Sequence, residues 1–281
     1  MQLVLISGLS GSGKSIALRA LEDAGHYCVD NLPATLLPPL VRQLREEGYE
    51  RVAVAIDVRA GASIAALPQQ LRDLQAMGVP TRFVFLEARE ETLIARFSET
   101  RRGHPLSNED TTLAEAIVRE RAMLENVAGL GNRIDTSSLN PNALRNWILD
   151  FVQPAVSPGL TLQFESFGYK HGIPLDADLV FDVRCLPNPH YDPVLRPLTG
   201  RDAEVARFLE AQGEVRKMAE DIRRFLDEWL PSYVRDNRSY LTVAIGCTGG
   251  QHRSVYLAEW LAGRFRDRAR ARVLVRHRAI T

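Results

Sequence analysis

The stretch Leu3-Val-Leu-Ile-Ser-Gly8-Leu-Ser-Gly-Ser-Gly-Lys14-Ser15 decides the fold of this chain. Its apolar first half predicts a buried strand, and its second half has the spacing of a Walker A loop followed by a helix. Small residues let consecutive amides turn towards phosphate oxygens, and the helix beginning near Lys14 adds the positive end of its dipole. Lys14 is expected to face solvent until phosphate arrives, and Ser15 to offer its hydroxyl to Mg²⁺. The predicted phosphate-binding residues are Gly8, Leu9, Ser10, Gly11, Ser12, Gly13, Lys14 and Ser15.

Length and composition are those of an ordinary globular chain with two domains. The chain has 281 residues, of which 45% are hydrophobic and 25% charged. That length exceeds most single-core domains. The formal net charge is zero, so any affinity for a polyanion must come from local patches. Three widely spaced cysteines suggest neither a disulfide framework nor a zinc site. Without a long apolar run or a basic leader, we expect a cytoplasmic protein with no membrane contact.

Carboxylates follow two of the predicted strands in the first half. Asp30 and Asp57 each come after an apolar run, and the carboxyl ends of parallel strands face the ligand crevice. Asp30 could equally cap the next helix. Asp57 is our choice for the Walker B-type carboxylate that holds Mg²⁺ opposite Ser15, with Asp135 as the alternative.

An arginine cluster lies at residues 96–105, between a helix and a Gly/Pro break. It is similar to the mobile lid of small P-loop kinases, in which arginines clamp the transferring phosphates. A solvated helix end, where the dipole favours cations, is an equally good interpretation. A helix predicted over residues 64–77 and a strand over 81–86 precede it. This alternation predicts a P-loop kinase-like parallel sheet, with helices on both faces, over residues 1–153.

The segment Gln153-Pro-Ala-Val-Ser-Pro-Gly159 has linker composition and predicts a domain boundary. Beyond it, residues 160–281 predict a second α/β domain, with strands over 160–165 and 179–184. A further strand at residues 240–245 leads into a glycine-rich loop and an apolar helix. The overall prediction is therefore an α/β protein whose C-terminal domain carries a second anion-binding loop.

That second loop, Gly246-Cys247-Thr-Gly-Gly-Gln-His-Arg253-Ser254, has the Cys-x5-Arg-Ser spacing of protein tyrosine phosphatases. There, backbone amides and an arginine grip phosphate beneath a nucleophilic thiolate. Gly246 stands where that family usually has histidine, which favours phosphate binding over phosphatase chemistry. A glycine turn with a buried cysteine is the alternative. The predicted ligand contacts are Asp182, Arg184, His190, Thr248, Gly249, Gly250, Gln251, His252, Arg253 and Ser254.

The last part of the chain is strongly basic. Residues 264–278 contain seven arginines against one aspartate. Guanidinium groups suit phosphate contacts and stacking on unpaired bases, which predicts an RNA-binding surface. A solvated helix end followed by an edge strand, whose arginines discourage sheet pairing, is the alternative. The residues predicted to contact RNA are Arg270, Arg272, Arg276 and Arg278.

Together these blocks resemble the bacterial nucleotide-binding RNase adapter family, RapZ and its YvcJ-like relatives. The most specific are Phe164-Glu-Ser-Phe-Gly-Tyr-Lys-His-Gly172 and the loop from Gly246 to Ser254. The resemblance implies a kinase-like N-terminal domain that binds ATP and GTP with weak hydrolysis. It assigns ATP to the segment matched by Gly8–Ser15, and GTP to the segment matched by Asp57, Val58, Arg59 and Ala60.

The resemblance also implies a C-terminal domain that binds small regulatory RNAs, presents them to an endoribonuclease and senses an amino-sugar phosphate. The last role fits the Cys247 loop, where the expected ligand is glucosamine-6-phosphate. A homo-oligomer is expected. Two other classes of function stay open: a small-molecule kinase with Asp30 or Asp57 as base, and a phosphatase that depends on Cys247.

Overall fold

The computed structural model describes residues 1–108, 110–152, 160–235, 238, 240–266 and 272–280. The chain divides into two compact units, residues 1–154 and 155–281. The predicted linker, residues 153–159, lies outside the described residues. No helix in the described ranges is long and apolar enough to cross a membrane.

The N-terminal unit is built on a parallel sheet. Its strands are β1 (Gln2–Gly8), β2 (Tyr27–Val29), β3 (Arg51–Ala55), β4 (Thr81–Glu87) and β5 (Asn132–Asp135). They are ordered β2-β3-β1-β4-β5, with every pair parallel. The central strand β1 is buried from its second residue to its last, as a continuous apolar run predicts. The loop after β1 therefore leaves the sheet at the middle of its carboxyl edge, where such sheets bind ligands.

The helices of this unit differ from the prediction in two places. They are α1 (Lys14–Asp23), α2 (Leu37–Glu46), α3 (Leu67–Ala76), α4 (Glu90–Thr100), α5 (Leu113–Ala128) and α6 (Pro141–Val152). The helix predicted over 64–77 is confirmed as α3 from residue 67 to 76, but residues 64–66 belong to a preceding 3₁₀ segment, Val58–Ala66, which is broken at Gly61 (φ 58°). Helix α5 was not predicted. It begins at a capping box in which the side chains of Thr112 and Glu115 each bond the other's amide.

The C-terminal unit contains a second parallel sheet. Its described strands are β6 (Thr161–Gly168), β7 (Leu179–Asp182), β8 (Tyr240–Cys247) and β9 (Arg272–His277), in the order β7-β8-β6-β9. Its helices are α7 (Ala203–Glu210), α8 (Gly213–Arg235) and α9 (Arg253–Arg266). Apolar side chains from the central strands and from all three helices form one core. Both units are α/β, which confirms the predicted fold class.

Candidate functional site

The Walker A loop joins β1 to α1 through glycines with left-handed backbone angles. Gly8, Gly11 and Gly13 have φ values of 142°, 82° and 108°. A Cβ atom on Gly8 would lie 2.1 Å from the carbonyl oxygen of Leu86 on β4, which is backbone and cannot move aside. Gly8 therefore meets two demands that only glycine satisfies, an unusual φ and a close approach of two strands.

Lys14, the first residue of α1, is bound by backbone carbonyl groups of this loop. Its Nζ donates to the carbonyl oxygens of Gly8 (2.8 Å) and Leu9 (3.0 Å) and lies 3.7 Å from Asp57 Oδ2. Only 8% of the residue is exposed, so the expectation that it faces solvent is wrong. The loop's own carbonyls satisfy the ammonium group. Burial lowers the pKa of Lys14, and the nearby Asp57 carboxylate acts in the opposite direction.

Asp57 follows β3 and begins the 3₁₀ segment. Its Oδ1 accepts the amide of Arg59 (2.9 Å), and its Oδ2 pairs with the Arg59 guanidinium (2.6 Å). Burial acts to raise the pKa of Asp57, but the Arg59 hydrogen bond and the Lys14 charge hold it below its usual value. Both oxygens are engaged by Arg59, which leaves this carboxylate poorly placed as a base towards a hydroxyl.

The same contacts decide how the predicted Mg²⁺ site fits. Ser15 is exposed at the start of α1, so its hydroxyl is available as a ligand. Because Arg59 already binds both oxygens of Asp57, this carboxylate would attract the ion through its negative charge more readily than it would bind the ion directly. The alternative, Asp135, ends the edge strand β5 and accepts the amide and hydroxyl of Ser137. Of the two candidate carboxylates, Asp57 is the one that lies beside Lys14.

Glu120, on α5, is a site residue that sequence analysis missed. It is fully buried, and its carboxylate accepts the amide (2.9 Å) and hydroxyl (2.7 Å) of Ser10 in the Walker A loop. His104 Nε2 lies 3.0 Å from the same carboxylate. A signal was available, because Thr112-x-x-Glu115 before an apolar stripe is a helix start. The pairing with Ser10, 110 residues away, has no local signature.

The predicted arginine cluster divides into residues with different roles. Arg96 donates to the carbonyl oxygens of Gly11 (3.0 Å) and Thr136 (2.7 Å), so it braces the Walker A loop and is neither a mobile clamp nor a solvated helix end. Arg102 is exposed and lines an open cavity of about 560 Å³, together with Walker A residues and Arg59. This cavity is large enough for a nucleotide-sized ligand.

Asp30 does not act as a helix cap. Its Oδ1 accepts the amide of Asn31 (2.9 Å), and the helical segments that follow have no side-chain cap. Asn31 adopts a left-handed φ of 54°, which asparagine tolerates better than most residues. The charge of Asp30 acts to raise the pKa of both Lys14 and Arg59.

In the C-terminal unit, the Cys247 loop joins β8 to α9. Cys247 Sγ accepts the amide of Gly250 (3.2 Å) and lies 3.2 Å from Ser254 Oγ. Burial acts to raise the pKa of this thiol, but these hydrogen bonds and the charge of Arg253 hold it below its usual value. The loop is packed tightly, since a Cβ on Gly168 would lie 2.6 Å from the Gly249 carbonyl carbon.

Arg253 is buried beside this loop, and backbone carbonyls bind one of its terminal nitrogens. Its Nη1 donates to the carbonyl oxygens of Arg184 (2.8 Å) and Leu186 (2.9 Å), and its Nη2 approaches Thr248 Oγ1 (3.4 Å). Because Nη1 is bound to these two backbone carbonyls, Arg253 is not arranged to grip phosphate with both terminal nitrogens. The buried Nε, however, has no hydrogen-bond partner among the described residues.

The other predicted ligand residues gather around the same end of the sheet. Arg184 pairs with Asp182 (2.7 Å) and lies 3.9 Å above the ring of Tyr169. The His190 and His252 rings are 6.4 Å apart. Thr248 and Gln251 are exposed, whereas His252 and Ser254 are buried. The fold thus brings together residues that are up to 72 positions apart, from 182 to 254.

The predicted RNA contacts have different environments. Arg270 lies outside the described residues. Arg272 and Arg276 are half-buried on β9, which is an edge strand, as the alternative interpretation expected. The side chain of Arg278 is only 9% exposed and pairs with Glu165 (3.2 Å) and Asp176 (3.7 Å). Because its guanidinium is turned inward to these carboxylates, Arg278 is not the exposed contact that was predicted.

Comparison with known proteins supports a relationship over the whole chain. Residues 1–154 match the family model of the RapZ-like N-terminal domain, and residues 160–281 match that of the RapZ C-terminal domain. A nucleotide-binding protein of Azoarcus sp. (strain BH72) is 69% identical over 279 residues, covering 99% of this chain and 95% of the relative. A nucleotide-binding protein of Dechloromonas aromatica (strain RCB) is 61% identical over 280 residues, covering 100% and 99%. Among solved structures, a sugar kinase from Janibacter sp. HTCC2649 aligns with a TM-score of 0.37 and 19% identity, over 54% of this chain and 94% of that one.

Proposed function

The chain belongs to the RapZ-like family, and on this premise we propose that it is a nucleotide-binding regulatory protein that holds ATP or GTP with Mg²⁺ on its Walker A loop. The observation that carries the proposal is the cavity of about 560 Å³ lined by that loop, with Lys14 fixed at its floor. Its relatives in Azoarcus and Dechloromonas are named as nucleotide-binding proteins. Hydrolysis is slow in this proposal, and the bound nucleotide serves mainly as a signal.

We propose one nucleotide site and not two. The segment matched to GTP contains Asp57 and Arg59, and Arg59 lines the same cavity as the Walker A loop. Asp57 Oδ2 is only 3.7 Å from Lys14 Nζ, so both segments would contact one triphosphate. ATP and GTP are therefore expected to compete for binding.

Replacing Lys14 with methionine is expected to weaken nucleotide binding. Methionine keeps the apolar stem and removes the charged contact with phosphate, a loss of about 1.5–3 kcal/mol, or roughly one to two decades in affinity. Calorimetric titration with ATP and with GTP, each with Mg²⁺, measures the change. Lys217→Met is the control, because Lys217 is exposed on α8 and pairs with Asp221. Equal affinities in wild type and Lys14→Met would contradict the nucleotide assignment.

For the C-terminal unit we propose a site for a phosphorylated amino sugar, with glucosamine-6-phosphate as the test ligand. The buried Nε of Arg253 supports this, since it has no hydrogen-bond partner in the part of the chain that the structure describes, and such a charged donor is costly unless an anion engages it. The thiol of Cys247 accepts one loop amide and contacts Ser254. In this proposal the cysteine shapes the loop and does not attack the phosphate.

Replacing Arg253 with lysine is expected to weaken glucosamine-6-phosphate binding about tenfold or more, because lysine keeps the charge and loses the planar donor set. Arg266→Lys, on the exposed last turn of the same helix, is the control. Cys247→Ser should bind the sugar, and neither it nor wild type should release phosphate from it. Phosphate release that requires Cys247, or wild-type affinity in Arg253→Lys, would overturn the sensor proposal.

The finer regulatory role that we propose is that of an RNase adapter, which binds a small RNA and presents it to an endoribonuclease. The edge strand β9 supports it by placing Arg272 and Arg276 at the border of the sheet. Arg278 is excluded from this surface by its ion pairs. Replacing Arg272 and Arg276 together with alanine is expected to weaken binding of a structured small RNA and to flatten its dependence on salt.

A further inference from the structure

A buried network behind the Walker A loop engages Ser10, which was predicted to contact phosphate but whose amide and hydroxyl both bind the Glu120 carboxylate. The Glu120 carboxylate is fully buried, and burying a charge is costly unless several donors satisfy it. Here the donors are the amide and hydroxyl of Ser10 and the ring of His104. Two of these bonds fix a residue of the nucleotide-binding loop, and the third fixes a residue of a different segment.

His104 is held on both sides of its ring. Its Nδ1 accepts the amide of Leu106 (3.1 Å), which leaves the ring hydrogen on Nε2, directed at Glu120 3.0 Å away. The ring is fully buried and lies 5.2 Å from that of Phe97. Because both nitrogens are used, His104 has one orientation that satisfies them.

The segment around His104 forms a wall of the nucleotide cavity. Arg102, Gly103 and Pro105 line that cavity. Arg101 ends α4 with a left-handed φ of 52°, so the chain turns sharply just before the lining residues. The position of the wall is thus set by the turn at Arg101 on one side and by the bond from His104 to Glu120 on the other.

We infer that Glu120 is a positioning residue that sets the Walker A loop and the arginine-bearing wall, residues 101–105, in one fixed relation. Ser10 and His104 share its carboxylate, so a displacement of either segment strains the other. This inference rests on the proposed nucleotide binding, since it concerns how tightly a nucleotide is held between the two segments. It adds to that proposal a residue that contacts no ligand.

The test compares apolar and polar replacements of Glu120. Glu120→Leu removes all three hydrogen bonds, whereas Glu120→Gln can keep them. In the glutamine variant, the amide oxygen accepts Ser10 N and His104 Nε2, and the amide nitrogen donates to the Ser10 hydroxyl, which can act as acceptor. We expect Glu120→Leu to weaken binding of ATP and GTP at least tenfold, and Glu120→Gln to stay within about threefold of wild type.

His104→Ala is a second variant that leaves the Walker A loop untouched and serves if Glu120→Leu does not fold. It is expected to raise the rate of trypsin cleavage after Arg101 and Arg102 in the nucleotide-free protein about tenfold, read by mass spectrometry. Nucleotide affinity should fall with it. Both measurements are made well below the unfolding temperature.

Glu87→Leu is the matched control for a loss of stability that does not affect the nucleotide site. Glu87 is a buried carboxylate of the same unit that pairs with Arg133 (2.6 Å) and Arg121 (3.5 Å). Its replacement should lower the melting temperature without changing nucleotide affinity or cleavage after Arg102. If Glu120→Leu and His104→Ala behave like this control, the inference is overturned and the proposed function stands. If wild type binds neither nucleotide, the proposed function fails and the inference with it.

Discussion

Replacing Gly8 with alanine is expected to lower the free energy of unfolding of the N-terminal unit by about 3 kcal/mol or more and to abolish nucleotide binding. The added Cβ would lie 2.1 Å from the oxygen and 2.7 Å from the nitrogen of Leu86. Both are backbone atoms of the neighbouring strand. The φ of 142° adds strain of its own, because L side chains rarely adopt it. Relief therefore requires β1 and β4 to separate at the point where the phosphate loop begins.

Hydrogen exchange of peptides from β1 and β4, followed by mass spectrometry, reports the stability of this unit separately from the other. Gly78→Ala is the matched control, since Gly78 also has a left-handed φ (68°) but nothing within 4 Å of an added Cβ. Gly78→Ala should lower the free energy of unfolding by about 1 kcal/mol, because only the left-handed backbone of this residue disfavours a side chain. If Gly8→Ala costs no more than Gly78→Ala, the strand-to-strand contact is not what requires glycine here.

The fold of the N-terminal unit followed from sequence where local patterns were strong. Strand β1, the loop and helix α1 lie where the Walker A motif predicted them, because glycine and lysine positions and a continuous apolar run are local signals. Helix α5 was missed because the charged Glu120 stands among its buried positions, while the apolar Val118 and Met123 lie on its exposed side. Glu120 interacts only with distant residues.

In the candidate sites, too, contacts between residues close in sequence could be predicted, whereas the burial of those residues could not. Asp57-Val-Arg59 and Asp182-Val-Arg184 form nearly identical pairs, in which the arginine amide donates to Oδ1 at 2.9 Å and the guanidinium binds Oδ2 at 2.6 and 2.7 Å. This local geometry is inherent in the repeated sequence. Burial is not, since the Asp57 side chain is 1% exposed and that of Asp182 is 43% exposed. Only the tertiary structure places Lys14 beside the first pair and not the second.

The inward turn of Arg278 could not be predicted for a related reason. Alternation along β9, continued to the residue after it, predicts that Arg272, Arg276 and Arg278 share one face, but not whether that face is open. The answer depends on Glu165, which neighbours β9 on β6, and on Asp176 in a loop. Acidic partners more than 100 positions away turn one arginine of a basic stretch into a structural residue.

Replacing Arg278 with alanine is accordingly expected to destabilise the C-terminal unit by about 3 kcal/mol or more. The change removes a guanidinium from two buried carboxylates, those of Glu165 and Asp176, whose side chains are 5% and 4% exposed. Without the guanidinium, the two carboxylates stay buried but lose the positive charge that offsets theirs, which is unfavourable. The stability of the unit is measured by hydrogen exchange of β6 and β9 peptides. Arg266→Ala, at an exposed position on α9, is the control and should change stability by less than about 0.5 kcal/mol.

The same variants test the proposed RNA surface. Arg278→Met keeps part of the side-chain volume, and Arg272→Ala with Arg276→Ala removes the two arginines of β9. The double variant is expected to flatten the slope of log affinity against log salt by about one to one and a half units, since each phosphate contact contributes about 0.7. Filter binding of a structured small RNA across salt concentrations measures this slope. Arg278→Met should leave the slope unchanged, because an arginine bound to two carboxylates does not displace counterions from RNA. A loss of slope in Arg278→Met without a loss of stability would show instead that Arg278 leaves its ion pairs to bind phosphate.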